Sequence, residues 1–110
     1  MDLASLLLEK FKCKTRAVEN PVTTSVGATA TLLFNNNPNR LAWNFVNLSA
    51  NAIYLALAND VSATKGILVA SNGGFASMVW DEDFQTTGWA VWGIAPAGAS
   101  ACYSSEVVIQ

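Results

Sequence analysis

The apolar positions at the start of the chain recur at helical spacing. Leu3, Leu6, Leu7 and Phe11 fall on one face of a short amphipathic helix over residues 2–11. Asp2 stands at its start, where a negative charge suits the helix dipole. A helix this short is marginal alone in water, so the stripe must pack on its own domain or on a neighbouring subunit. The period then changes. Lys10, Lys12, Lys14 and Arg16 alternate with Phe11, Cys13, Thr15 and Ala17, which predicts an extended strand with every basic side chain on one face. Asn20-Pro21 breaks this segment.

The pattern that follows is all β. Strands are predicted over residues 28–34, 41–48, 53–57, 67–70, 75–80, 89–95 and 101–109. The connections between them are rich in Asn, Gly, Ser and Pro, residues that tolerate turn geometry or forbid a continuing ladder. Residues 49–51 make a hairpin-length gap between two of the strands. Seven to eight short strands at this spacing predict an antiparallel β-sandwich, jelly-roll-like or Ig-like, with a short N-terminal helix or arm. The division expected is an arm over residues 1–20 and a sandwich over 21–110.

Composition sharpens this picture. Hydrophobic residues make up 52% of the 110 and charged residues 13%, against about 25% charged in an average soluble domain. Such a surface has little charge repulsion to keep copies apart, so a homo-oligomer is expected. The net charge is −2, and four of the six basic residues crowd between Lys10 and Arg16. That is not the basic field with which proteins displace counterions from nucleic acid. No apolar run approaches the ~20 residues that span a bilayer. Acidic Met1-Asp2 and the short apolar stretch after it are unlike a secretory signal, so synthesis and use in the cytoplasm, or in a particle assembled there, are expected.

The absence of histidine removes His-based acid–base catalysis, Ser-His-Asp and Cys-His systems, and most zinc sites. No catalytic residue, metal ligand or cofactor motif stands out, and no enzyme is expected. Cys13 and Cys102 read as small reduced hydrophobes, although paired terminal strands could bring them together. Asp81-Glu82-Asp83 could offer oxygen ligands to Ca²⁺, but consecutive residues on extended chain point apart. A solvated turn, or a bridge to a neighbour's basic strand, is the simpler reading. Of four tryptophans, Trp43, Trp80 and Trp92 fall within predicted strands and read as core. Trp89, beside Gly88 at a strand start, is the candidate for exposure. It would serve as a protein–protein anchor or stack on a sugar ring.

Asn37-Pro38-Asn39-Arg40 precedes the alternating run Ala42 to Ser49, then Ile53-Tyr54-Leu55. Arg40 is placed to reach carbonyls or carboxylates of neighbouring turns, and Asn47 with Ser49 suits a self-bonded turn. Together with Val61-Ser62, Gly66-Ile67-Leu68 and Gly73-Gly74, this order resembles a family of small proteins from the structural modules of tailed bacteriophages and prophages. The resemblance covers residues 28–109 and centres on an NPNR…NxS…IY hairpin. It implies a virion component (capsid decoration, head–tail or fibre-associated) made in the host cytoplasm. The partners implied are other virion proteins and copies of itself, with no enzymatic activity. The candidate interface is Leu3, Leu6, Leu7 and Phe11, with Lys10, Lys12, Lys14, Arg16 and Trp89. Asn37, Pro38, Arg40 and Asn47 are the candidate structural loop residues. The rival reading is a carbohydrate-binding sandwich using exposed Trp.

Overall fold

A computed structural model describes all 110 residues. A helix, α1 (Leu3–Phe11), is followed by strands β1 (Thr15–Glu19), β2 (Ser25–Val26), β3 (Thr31–Phe34), β4 (Arg40–Asn47), β5 (Ile53–Ala56), β6 (Ile67–Val69) and β7 (Phe75–Val79). A one-turn helix, α2 (Trp80–Asp83), and a 3-10 turn (Phe84–Gly88) lead to β8 (Val91–Ile94) and β9 (Ser100–Ile109). The strands form two antiparallel sheets, β1-β9-β4-β7 with β2 also on β9, and β3-β8-β5-β6. The fold is an all-β antiparallel sandwich with a short N-terminal helix.

β9 organises the first sheet. Over its ten residues Ser100, Cys102, Ser104, Glu106 and Val108 turn inward while their neighbours face out, the period-2 pattern of a half-buried strand. β4 pairs along most of its length, from Val108 to Cys102, and β1 takes the Ser105–Ile109 half of the other edge. Thr15–Glu19 are therefore sheet, and what stands outside the sandwich is the helix and its connection. Leu33, Phe34, Trp43, Phe45, Ile53, Leu55, Val69 and Val91 form the apolar interior. Buried apolar surface is worth about 25 cal/mol per Å², so these large side chains supply most of the drive to fold.

Two irregularities matter for the site. The β4–β9 register shifts between Arg40 and Ala42, a bulge that adds one residue to β4. Trp43, Phe45 and Asn47 already point inward on odd positions, and the bulge brings even-numbered Arg40 inward as well. A similar shift in β3 lets adjacent Leu33 and Phe34 both be buried.

Several expectations are corrected. The helix does not give way to a basic strand at Lys10. Lys10 is in its last turn and Lys12 is the left-handed C-cap, with its N–H on the Leu8 carbonyl at 3.0 Å. Lys10, Lys12, Lys14 and Arg16 thus do not share one strand face. Residues 49–51 do not close a hairpin either, since β4 and β5 lie in different sheets and the chain crosses between them there. Trp80 is not a strand residue in the core but the first residue of α2, half exposed.

Candidate assembly surface

α1 starts cleanly because Asp2 caps it. The carboxylate accepts the Ser5 N–H at 2.8 Å, and this hydrogen bond holds the Asp2 carboxyl below its ordinary pKa. No residue of α1 is buried. Leu3 is 68% and Phe11 59% exposed, with Leu6 and Leu8 also open. Leu7 and Phe11 edge an apolar groove of about 310 Å³ whose other walls include Leu41, Trp80 and Ile109. The helix therefore lies over one end of the first sheet without being sealed against it. The molecule is accordingly long, 47 × 23 × 20 Å.

Leu41 and Trp80 also line a second cavity, about 580 Å³, completed by Phe84, Trp89, Asn36, Pro38, Gln85 and Gly88, with Arg40 at its base. This aromatic corner is built by α2 and the 3-10 turn, and its hydrogen bonds explain its shape. Asp83 turns back to accept the Val79 N–H at 2.9 Å, and the Thr86 hydroxyl donates to the Asp83 carbonyl. The Asn37 N–H donates to the Gly88 carbonyl at 2.7 Å. A Cβ on Gly88 would meet the Asn37 carbonyl oxygen at 2.7 Å, so the close approach needs glycine. Asn37 also braces its own turn, its side chain accepting the Asn39 N–H and its carbonyl the Arg40 N–H.

Arg40 ties these pieces together. Its Nε donates to Glu106 at 2.6 Å, Nη1 to the Thr87 and Trp89 carbonyls at 3.3 and 3.2 Å, and Nη2 to the Asn35 carbonyl at 2.5 Å. The guanidinium lies 5.2 Å from the Phe34 ring centre, and Phe34 packs on Trp43. A planar fork of donors suits this task, because one side chain holds two turns and a strand at once. Glu106, the partner the sequence reading did not single out, was marked by alternation: it shares the inward face of Ser104 and Val108.

Asn47, fully buried, does for the sheet crossing what Arg40 does for the corner. Its amide donates to the Asn51 and Val69 carbonyls (2.7 and 3.2 Å), and its oxygen accepts the Ser49 N–H and hydroxyl (3.0 and 2.7 Å). That accounts for the Asn-x-Ser spacing.

The exposed aromatics carry the functional signal. Trp80, Phe84 and Trp89 are 50%, 71% and 46% exposed. At about 200 Å² per aromatic side chain, these three and Phe11 leave about 450 Å² open. Aromatic side chains alone thus reach the ~300–600 Å² of the largest apolar patch on a typical monomer, before the leucines of α1 are added. Phe84 has φ 55° and ψ −141°, a backbone region that favours glycine. The chain holds a bulky side chain there while burying little of it. A lone apolar residue in the polar segment 81–88 was the sequence signal for this position. Asp81 and Glu82 are exposed beside it. Among the described residues, no three His, Cys, Asp or Glu side chains gather as metal ligands would.

Cys13 and Cys102 are both free thiols. Cys13 precedes the β1 end opposite Ile109, seven positions from Cys102 along β9, or roughly 20 Å or more at strand rise, beyond the reach of a disulfide.

Fold and surface together define a β-sandwich with an unsealed amphipathic arm next to an exposed aromatic corner. No family model matches the sequence, and no curated protein matches it. Among solved structures the chain is similar to one from Bacillus endospore appendages, disulfide-linked pili, at 11% identity and a TM-score of 0.49 over 88% of this chain and 85% of that one. It is also similar to the Tobacco streak virus coat protein, at 12% identity and a TM-score of 0.32 over 86% and 85%. At these identities and scores neither likeness bears on function.

Proposed function

We propose that the protein is a structural component that works by protein–protein assembly, in the virion of a tailed bacteriophage or prophage, as a capsid-decoration, head–tail or fibre-associated subunit. The observation that carries this reading is the continuous apolar band of α1, Leu41, Trp80, Phe84 and Trp89 on a chain with 13% charged residues. Exposed aromatics in this density are typical of interface anchors, and the low charge of the whole chain gives copies little net repulsion. The placement in a virion rests on the sequence resemblance over residues 28–109. The test is co-sedimentation with particles from the lysogen or phage that encodes the chain. Retention through a density gradient at a fixed copy number supports the reading. Recovery only in the soluble fraction, with particles complete without it, overturns it.

A second reading has one observation in its favour. The aromatic corner sets Trp80, Phe84 and Trp89 around a 580 Å³ cavity with polar Asn36 and Gln85 on its wall, a combination that suits a sugar ring. Glycan-array retention that Trp89→Ala abolishes, with the fold intact, would favour a carbohydrate-binding module instead.

A further inference from the structure

We infer that the partner of this surface is a second copy of the same chain, in a two-fold dimer where each α1 packs across the other's Trp80–Phe84–Trp89 corner. The inference deepens the assembly reading and rests on it.

Three observations lead there. The first is charge. The arm carries Lys10, Lys12 and Lys14, all exposed, while the corner carries exposed Asp81 and Glu82. Within one chain the two ion pairs are Arg40–Glu106 and Lys65–Asp60, so neither set is spent internally. The second is adjacency. Leu41 and Trp80 line both the arm groove and the corner cavity, so donor and acceptor lie side by side on one face. A face holding both halves side by side is self-complementary about a two-fold axis near Trp80. A head-to-tail chain would need them on opposite ends. The third is Phe84, held in a glycine-favouring conformation with 71% of its surface open. A strained residue that buries little in its own chain implies a contact outside it. The open aromatic area of about 450 Å², with the α1 leucines added, approaches the ~800 Å² per partner of a stable interface.

The test is sedimentation equilibrium of the full chain over about 1–100 µM, a range in which a weak-to-moderate dimer is resolved from its monomer. The expected species is a dimer of the 11.7 kDa chain, with no larger form as concentration rises. Phe84→Gly should weaken it at least about tenfold while leaving the circular dichroism unchanged. Lys10→Glu with Lys14→Glu, and separately Asp81→Lys with Glu82→Lys, should each weaken self-association. An equimolar mixture of the two variants should restore the dimer, because each reversed arm then meets a reversed corner. A monomer throughout, an open series of growing oligomers, or a dimer indifferent to Phe84→Gly and to both reversals overturns the inference. A monomer that still sediments with particles leaves the assembly reading standing and removes only the dimer. A dimer absent from particles keeps this interface and removes the virion placement.

Discussion

Replacing Arg40 with Met removes a charge from a place where its partners cannot follow it into water. The Arg40 side chain is 1% and Glu106 10% exposed, so the substitution leaves a carboxylate buried without its cation. Breaking one side of a buried ion pair costs about 3–5 kcal/mol, mostly the desolvation of the charge left behind. The carbonyls of Asn35, Thr87 and Trp89 lose their donor as well, and each costs about 1–3 kcal/mol unless water reaches it. Stability for a domain of this size is about 5–15 kcal/mol, so Arg40→Met should leave a marginal fold. Urea unfolding followed by tryptophan emission measures this. With a slope of about 2 kcal/mol/M, the midpoint should fall by about 2 M. Arg40→Lys should recover only part of it, because one ammonium cannot span a fork of four acceptors. Adding Glu106→Leu to Arg40→Met should restore at least about 1 kcal/mol, since the uncompensated charge is then gone. If Arg40→Met lowers stability by less than about 1 kcal/mol with an unchanged slope, the network is an ornament of the turn and the reasoning fails.

Asn47→Asp should cost about 2–4 kcal/mol in the same assay, because it sets a carboxylate against the Asn51 and Val69 carbonyls that the amide now satisfies. The two thiols should react very differently with a disulfide reagent at pH 8. Half-buried Cys13 should react in the native protein and Cys102 only on unfolding, because burial pushes Cys102 from 9.0 up to about 11 and cuts its thiolate fraction about a hundredfold. A raised thiol pKa keeps the folded state protonated, so this contribution to stability is lost as pH rises above 9.0 toward 11.

The sandwich was legible because its signals are local. Alternation in Ser100–Ile109 and the turn residues between strands place most elements within a few residues of where they lie. Asp2 and the leucine spacing likewise set the bounds of α1. What the sequence concealed was decided by tertiary context. Alternation continued from Trp43 puts Arg40 on the outer face, and only the bulge in β4 turns it inward. Asn47 reads as a hairpin residue because its polar groups suit a tight turn. Its bonds to Asn51 and Val69 instead carry the chain from one sheet to the other. Trp80 reads as core because it continues the β7 pattern, yet Asp83 captures the Val79 N–H and winds the chain into α2, leaving the ring at the surface. The aromatic corner emerges from that single departure.

Phe84 then separates the stability of the fold from the work of the surface. A non-glycine residue at its φ and ψ costs about 1–3 kcal/mol, and burial that remains partial returns little of it. Phe84→Gly removes the strain and adds about 1 kcal/mol of unfolded-state entropy, so the two changes roughly cancel or leave a small gain. The isolated domain should therefore keep or raise its urea midpoint, measured at a concentration low enough to exclude association. A fall of more than about 1 kcal/mol would mean that Phe84 serves its own fold, and the strain would then have an internal explanation. An unchanged or higher midpoint, with the contact between copies lost, places the stabilising interaction of this side chain outside the chain that carries it.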